Sequence, residues 1–226
     1  MGLRRSSSEE QFARKRAKMV RQQLARRGVK DPRVLAAMES VPRHRFLPEA
    51  LQHLAYDDTP LPIGGGQTIS QPYIVALMTQ LVNPQPEDHV LEIGVGSGYQ
   101  TAVLAELTAD VVGLERLPEL AEHAQVVLGE LGYDNVTIHV GDGTLGYPQA
   151  APYDIILGAA AAPEIPEPLL DQLAVGGRLV MPTGHRREQI VRYVERSEEG
   201  FTATDLTPVR FVPMIGQHGF EDDEDA

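Results

Sequence analysis

The sequence predicts an α/β fold in which a doubly wound, Rossmann-like sheet carries an N-terminal helical extension. From residue 90 onward, short apolar runs alternate with helix-like segments. Strands that alternate with helices form a parallel sheet covered on both faces. A glycine loop follows the first apolar run, and the stretch before residue 40 has apolar side chains at helical spacing. With 226 residues and 42% hydrophobic content, the chain is long enough for one such domain.

The N-terminal part is predicted to form two helices and a long irregular segment. Apolar residues at helical spacing indicate a basic amphipathic helix over residues 9–27, which Gly28 ends. Asp31 before Pro32 is typical of an N-cap and first turn, so a second short helix is expected there. Residues 41–71 are rich in proline and glycine but also carry apolar side chains, which favours a packed, functional segment.

A third helix is predicted over residues 72–82, and Ser70 lies where its N-cap would be. Serine is a preferred N-cap residue, so capping alone would explain its presence. The alternative is a functional role within the irregular segment that Ser70 ends. We favour the functional interpretation, and the capping one stays open on the residues alone.

The stretch 89–101 combines a strand, a glycine loop and the start of a helix. Its motif E-x-G-x-G-x-G is formed by Glu92, Gly94, Gly96 and Gly98. Glycines let the backbone approach a ligand closely, and the N–H groups of the following helix favour polar or negative groups. The dinucleotide fingerprint would need its third glycine at position 99, which is Tyr99. The spacing is instead typical of S-adenosylmethionine methyltransferases, although glycine turns also occur simply to close a βα unit.

Carboxylates follow the next two predicted strands. Glu115 ends a strand over residues 111–114, where an acid can accept both ribose hydroxyls of an adenosine. Asp142 and Gly143 follow a strand over residues 136–140, where an acid beside flexible backbone can meet an adenine amino group. Either acid alone would be consistent with a solvated strand end. Their succession favours a cofactor site.

The remaining elements continue the alternation. Helices are expected over residues 118–131 and 167–173, and strands over residues 154–157, 178–181, 189–194 and 209–212.

The chain is expected to hold one folded unit between two tails. We expect a disordered leader over residues 1–8, a single methyltransferase domain over 9–220 and an acidic disordered tail over 221–226. Within the domain, residues 9–82 would form the N-terminal helices and the substrate-side segment. Residues 83–220 would form the Rossmann-like core and the C-terminal strands.

Composition excludes several classes of function. The chain has no cysteine, which removes disulfides, thiolate zinc sites and thiol catalysis, and its seven histidines lack metal-ligand spacing, so no metal is predicted. No apolar run approaches the ~20 residues that span a bilayer, and no signal core is present, so we expect a cytoplasmic protein without a membrane partner.

Charge is distributed unevenly along the chain. Residues 1–33 carry eleven Lys and Arg against three acids, whereas the whole chain has a net charge of −12, so the body is strongly acidic. An acidic body argues against a nucleic-acid substrate. The basic arm can contact RNA or an acidic partner, but a solvated helix face is the simpler interpretation.

Over about residues 19–219, the sequence resembles the protein-L-isoaspartate O-methyltransferase family. The resemblance rests on VPRHRFLPE (41–49), AYDDTPLPIGGGQTISQPY (55–73), VLEIGVGSGYQTAVLA (90–105), GDG (141–143), AAAPEIPEPLLDQL (160–173) and VRFVPMIG (209–216). The glycine motif is shared with many methyltransferases. The second and last of these segments are specific to this family.

The resemblance implies transfer of a methyl group from S-adenosyl-L-methionine to the free α-carboxylate of an L-isoaspartyl residue, with S-adenosyl-L-homocysteine as product. It implies that Ser70 is the active-site residue. The peptide side would be lined by Thr68, Arg210, Phe211 and Val212. The cofactor side would be formed by Glu92, Gly94, Gly96, Gly98, Glu115, Asp142 and Gly143.

The expected partners are isoaspartyl-containing proteins and peptides, bound by a monomer. An isoaspartyl linkage changes the backbone itself, so recognition requires an edge that hydrogen-bonds the peptide backbone, as in strand addition. We expect Phe211 and Val212 to present that edge, with residues 41–71 as a cover.

Two alternatives stay open. A methyltransferase acting on a small molecule or RNA would keep the glycine loop and replace the GQTIS segment. A binding protein would hold S-adenosylmethionine or a nucleotide without turnover. Neither alternative needs residues 68–70 together with residues 209–213, and this pair discriminates between them and a carboxyl methyltransferase.

Overall fold

A computed structural model describes residues 2–222 of the chain. The strands are β1 (Leu61–Gly64), β2 (Gln67–Ile69), β3 (His89–Ile93), β4 (Asp110–Glu115), β5 (Val136–Val140), β6 (Tyr153–Gly158), β7 (Leu173–His185), β8 (Glu188–Ser197) and β9 (Gly200–Val209). The helices are α1 (Gly2–Met19), α2 (Pro32–Ser40), α3 (Pro72–Val82), α4 (Tyr99–Ala105), α5 (Pro118–Glu130) and α6 (Glu167–Asp171). Among these described residues, no helix is long and apolar enough to cross a membrane.

A seven-stranded sheet forms the centre of the molecule, in the order β5-β4-β3-β6-β7-β8-β9. The five strands from β5 to β7 pair in parallel, and β8 and β9 continue the sheet in antiparallel pairing. The chain moves outward from β3 to β5 and then returns to place β6 on the other side of β3. This arrangement confirms the doubly wound, Rossmann-like α/β fold, and its topological switch point lies between β3 and β6, where ligands bind in such sheets.

The parallel strands form because their sequences are continuous apolar runs. All residues of β3 after its first are buried, and so are all residues of β4 after its first. Strands with both faces covered by helices have this pattern. Helices α4 and α5 pack beside β4, and α3 packs against β7. By contrast β9 is mostly exposed and forms one edge of the sheet.

The N-terminal helix differs from the expectation at its start. The backbone of residues 2–8 continues α1 to Gly2, so the disordered leader expected there is wrong for these residues. Once a packed part of a helix exists, each further residue adds a hydrogen bond without a new nucleation cost. Residue 1 and residues 223–226 lie outside the described residues, so the disordered tail stays a prediction for 223–226. The two described residues of that tail make contacts: the Glu221 carbonyl accepts from Arg186, and Asp222 pairs with Arg116.

The C-terminal strands also differ from the expectation. The strand expected over residues 209–212 is wrong, because β9 ends at Val209. Gln189 accounts for the difference: its Oε1 accepts the Phe211 N–H at 2.6 Å and its Nε2 donates to the Phe211 carbonyl at 3.3 Å. A side chain thus takes the backbone groups that a sheet neighbour would need.

A hairpin inside the long irregular segment was not predicted. Strands β1 and β2 pair antiparallel and stand apart from the main sheet. The turn between them passes through Gly65 at φ +57° and Gly66 at φ +70°, a region that favours glycine. The glycines that concealed the strands are therefore the residues that the turn requires.

Helix α3 is capped by a residue distant in sequence. Its N-cap position is Gln71, whose side chain does not cap it. Asp58 accepts the Tyr73 N–H on Oδ1 at 3.1 Å and a hydrogen bond from Gln71 Nε2 on Oδ2 at 2.7 Å, and it also pairs with Arg27. Among residues 2–222 the Ser70 hydroxyl has no hydrogen-bond partner, so the capping interpretation of Ser70 is wrong.

This arrangement predicts opposite roles for Asp58 and Ser70 in stability. Asp58→Ala should lower the free energy of unfolding by about 1 to 2 kcal/mol, because it removes a cap. Ser70→Ala should change it by less than about 0.5 kcal/mol, as for a residue without partners. Urea denaturation followed by circular dichroism measures both. An equal or larger loss in Ser70→Ala would return Ser70 to a capping role.

Candidate active site

A cleft lies at the carboxyl ends of β3, β4 and β6, on the switch point of the sheet. Its volume, including space open to solvent, is about 950 Å³. Most of its lining comes from residues 67–70, 93–97, 114–117 and 211–215, together with the first turns of α3 and α4. The structure thus brings together the glycine loop, the acid after β4 and the segment that contains Ser70.

The glycine loop has the conformation that its motif predicts. Gly94, Gly96 and Gly98 have φ values of +85°, +55° and +88°. Residues other than glycine adopt such values only at an energetic cost. The Gly94 and Val95 N–H groups both donate to the Leu114 carbonyl, at 2.8 and 3.3 Å. The loop is therefore held against the end of β4.

Glu115 fixes the loop from the other side. Its Oε2 accepts the Gly96 N–H at 2.8 Å and its Oε1 accepts the Leu117 N–H at 2.9 Å. The side chain lines the cleft although the residue is only 6% exposed. Each carboxylate oxygen has a further lone pair, so Glu115 can still accept hydroxyl groups from a ligand. This geometry fits the ribose role expected from the sequence.

Asp142 and Gly143 occupy different positions relative to the cleft. Gly143 lines it, but Asp142 does not. Asp142 Oδ1 accepts from the Thr144 N–H at 2.8 Å and the Thr144 hydroxyl at 2.7 Å, and Oδ2 accepts the Gln217 N–H at 2.8 Å. Burial acts to raise the pKa of Asp142, but these hydrogen bonds outweigh it and the pKa is lowered. Asp142 therefore ties the end of β5 to the C-terminal segment and positions Gly143.

Glu92 lies behind the glycine loop and outside the cleft lining. It is 0% exposed, and neither of its carboxylate oxygens has a partner among the described residues. Burial raises the pKa of Glu92 to about 8; the nearby Thr101 hydroxyl opposes the shift and the charge of Glu115 adds to it. Glu92 is thus mainly protonated at neutral pH. Its buried position does not allow the direct cofactor contact that was expected from the motif.

The substrate side contains two hydroxyls that have no hydrogen-bond partner among the described residues. Thr68 is exposed on β2, and Ser70 is half-buried just after it; both line the cleft. The β1–β2 hairpin packs onto the cofactor side, since a Cβ on Gly96 would lie 3.4 Å from Ile63 Cδ1 and a Cβ on Gly65 would lie 2.9 Å from Leu117 Cδ1. Within residues 41–71, the hairpin is the part that covers the glycine loop.

The expected backbone edge at Phe211 and Val212 is mostly occupied. Both Phe211 backbone groups bond to Gln189, and the Val212 carbonyl accepts the Ala161 N–H at 2.9 Å. The interpretation of these two residues as a free strand edge is therefore wrong, although both line the cleft. Arg210 is exposed and is not part of the lining.

Sequence reasoning missed Gln100, Arg116 and Asp58. Gln100 and Arg116 line the cleft, and Asp58 caps the helix beside Ser70. Gln100 could have been found as a polar residue at the start of the helix that follows the glycine loop. Asp58 carried no local signal, because its partners are distant in sequence. Within residues 2–222, no group of three or more His, Asp or Glu side chains is arranged to hold a metal ion.

The buried position of Glu92 predicts a pH-dependent stability. Between the usual glutamate pKa of 4.5 and the folded value of about 8, the folded state keeps a proton that the unfolded state loses. The free energy of unfolding should therefore fall as pH rises through this window. Glu92→Gln should match the parent at pH 5 and exceed its stability at pH 8.5. Denaturant titrations at both pH values measure this, and parallel pH profiles for the two proteins would contradict it.

Comparison with known proteins identifies the family. Residues 14–219 match the family model described as protein-L-isoaspartate(D-aspartate) O-methyltransferase. A protein-L-isoaspartate O-methyltransferase of Methanoregula boonei is 57% identical over 206 residues, which cover 91% of this chain and 95% of that protein. A second, of Syntrophobacter fumaroxidans, is 55% identical over 210 residues, covering 93% and 98%.

Solved structures give the same result. A protein-L-isoaspartate O-methyltransferase structure superposes with a TM-score of 0.82 at 30% identity, covering 90% of this chain and 67% of that one. A Plasmodium falciparum structure of the same description, in complex with S-adenosyl-L-homocysteine, superposes with a TM-score of 0.78 at 28% identity, covering 88% and 98%. Together with the family model and the relatives above 50% identity, they confirm the resemblance seen in the sequence: the chain belongs to the protein-L-isoaspartate(D-aspartate) O-methyltransferase family.

Proposed function

We propose that this chain is a protein repair enzyme that transfers a methyl group from S-adenosyl-L-methionine to the free α-carboxylate of L-isoaspartyl residues. Its products are the methyl ester and S-adenosyl-L-homocysteine. The observation that carries the proposal is the single cleft that holds both the glycine loop and the unpartnered Ser70 hydroxyl. The names of its relatives and the product bound to the Plasmodium falciparum structure support it.

The residues of the cleft fit the proposed methyl donor. The backbone of Gly94, Gly96 and Gly98 leaves room for a ligand to approach the loop, and Glu115 has free lone pairs for ribose hydroxyls. Gly143 packs closely against Ile93, since a Cβ there would clash with Ile93 Cγ2, and the adenine would lie beside this part of the wall. When bound, S-adenosylmethionine supplies a methyl group on a positively charged sulfur.

The proposed reaction needs alignment more than proton transfer. A carboxyl group with a pKa near 4 is already ionised at pH 7, so the substrate is its own nucleophile and no general base is required. Correct alignment of reacting groups can lower a barrier by about 7 to 11 kcal/mol. The Ser70 and Thr68 hydroxyls would donate hydrogen bonds that orient the carboxylate without neutralising it.

The charges of the cleft suit this chemistry. Among the described residues that line it, Arg116 is the one cation, and it lies on the cofactor side, where it pairs with Asp222 at 3.3 Å. A guanidinium held on the attacking oxygen would lower its nucleophilicity, and none is placed there. Arg210 would act at the rim, on the peptide outside the reacting carboxylate.

The substrates would be proteins and peptides that contain isoaspartyl residues. The side chains of Thr68, Phe211 and Val212 would line the path of the peptide. The net charge of −12 supports the exclusion of nucleic acid as a partner. We further propose that the enzyme acts as a cytoplasmic monomer without a membrane partner.

A direct test compares an isoaspartyl peptide with its aspartyl twin. The protein should transfer labelled methyl groups from S-adenosylmethionine to the first and not to the second. Ser70→Ala should lower kcat/KM for the isoaspartyl peptide about tenfold or more, and Ser70→Asp should lower it further because it sets a negative charge against the carboxylate.

Two further measurements keep this test specific. Calorimetry with S-adenosylhomocysteine should give the same affinity for the parent and both Ser70 variants. Thr202→Ala, which removes an exposed hydroxyl on β9, should keep parental turnover. Equal methylation of the twin peptides, or parental turnover in Ser70→Asp, would overturn the proposed reaction or the role of Ser70, respectively.

Glu115 provides the corresponding test on the cofactor side. Glu115→Ala should weaken the binding of S-adenosylhomocysteine by about 1.5 to 3 kcal/mol, the range for hydrogen bonds to a charged group. Glu119→Ala removes an exposed acid at the start of α5 and should leave affinity unchanged. Isothermal titration calorimetry measures both, and an unchanged affinity in Glu115→Ala would remove Glu115 from the ribose role.

A further inference from the structure

Gln100 is a buried polar side chain of the cleft that the proposed mechanism does not use. It lies in the first turn of α4, directly after the glycine loop, and is 8% exposed. Its Nε2 donates to Thr79 Oγ1 on α3 at 3.0 Å. The Thr79 hydroxyl in turn donates to the Val75 carbonyl at 2.8 Å.

This chain of hydrogen bonds fixes the orientation of the Gln100 amide. A carbonyl oxygen only accepts, so the single proton of the Thr79 hydroxyl goes to Val75. Thr79 Oγ1 must then accept from Gln100, and only the NH₂ end of the amide can donate to it. Thr79 is 0% exposed, so water does not compete for this position. The Gln100 Oε1 is left as the free end.

The free oxygen is an acceptor that the cleft offers to a ligand. Gln100 Oε1 has no partner among the described residues and is not sealed from solvent. A ligand donor that reaches this oxygen can pair with it in place of solvent. A carboxylate would be repelled by this oxygen, so the matching group is a hydrogen-bond donor.

The position of Gln100 indicates which donor reaches it. Glu115, on β4, holds the end of the cleft proposed for ribose, whereas Gln100 lies on α4 and bonds to Thr79 of α3. Thr68 and Phe211 lie on the peptide side. A polypeptide substrate would stay at the open side of the cleft. Gln100 is only 8% exposed, so it is reached by the end of a small molecule. With ribose placed at Glu115 and adenine at Gly143, the remaining donor group of such a cofactor is the ammonium of its amino-acid part.

We propose that Gln100, oriented by Thr79, accepts a hydrogen bond from the α-ammonium group of the amino-acid part of the bound cofactor. The inference rests on the proposed function, because it assumes that S-adenosylmethionine binds in this cleft. Gln100 would then select the complete cofactor over nucleosides that lack the amino-acid part.

Two ligands separate this role from a general effect on the cleft. S-adenosylhomocysteine carries the ammonium group, and 5′-methylthioadenosine has the same nucleoside without it. In calorimetry, Gln100→Met should weaken binding of the first about tenfold, which is 1.4 kcal/mol, and change binding of the second less than twofold. Gln22→Met, at an exposed position, should change neither.

Thr79 variants test the orientation. Thr79→Val removes the acceptor and lets the Gln100 amide turn, so it should also selectively weaken the binding of S-adenosylhomocysteine. Its effect on this binding should not add to that of Gln100→Met. Thr79→Ser keeps the hydroxyl and should restore parental binding. Thermal unfolding without ligand identifies any variant that fails to fold.

The outcomes distinguish the inference from the proposed function. If the parent protein binds neither ligand, the proposed function fails. If the parent binds both ligands, and Gln100→Met weakens the binding of both equally or of neither, the inference is overturned and the proposed function stands. Selective loss of S-adenosylhomocysteine in Gln100→Met and Thr79→Val, with Thr79→Ser unaffected, supports the inference.

Discussion

The hydrogen bonds of the Glu115 carboxylate hold the rest of the site in place. One oxygen binds the Gly96 N–H and the other binds the Leu117 N–H, so a single side chain joins the loop after β3 to the turn after β4. A loop of three glycines has high backbone entropy, and without such contacts it would not keep one conformation. The hairpin rests on Gly96 and Leu117, the same two backbone positions that Glu115 fixes. The glycine loop that forms one wall of the cleft and the hairpin that covers it therefore both depend on the Glu115 carboxylate.

Other polar side chains around the cleft also hold backbone segments in place by hydrogen bonds. Asp58 holds the start of α3, Asp142 holds the end of β5 to the C-terminal segment, and Gln189 holds Phe211. Each satisfies backbone groups that have no partner within a helix or sheet, where an unpaired N–H or carbonyl would be costly if buried. Long connections at the mouth of the sheet are ordered in this way without becoming strands or helices.

The sequence predicted the parts of this structure that depend on local pattern. The parallel strands, their helices and the glycine loop follow from apolar runs and from spacing, and Glu115 follows from its place at a strand end. The parts that were wrong depend on side chains that bind backbone far away: Asp58 lies fifteen positions from Tyr73, and Gln189 ends the strand expected near Phe211. No local pattern carries such contacts. Glu92 was misplaced because a motif gives the position of a residue in the chain but not which side of a loop its carboxylate faces.

The groups near the cleft whose pKa values are strongly shifted are not the groups proposed to orient the substrate. Three described groups near the cleft have strongly shifted pKa values: that of Glu92 is raised to about 8, that of Arg43 is lowered to about 10 and that of Tyr99 is raised, and burial is the main cause in each. Glu92 and Arg43 do not line the cleft, and the Arg43 guanidinium lies 4.8 Å from the ring centre of Tyr99. Tyr99 does line the cleft, and its raised pKa keeps its hydroxyl neutral. Shifted pKa values commonly mark sites of proton transfer. A reaction whose nucleophile arrives already ionised needs none, so the groups that face its substrate can be neutral hydroxyls and amides, such as Ser70 and Gln100, whose orientation is set by neighbours.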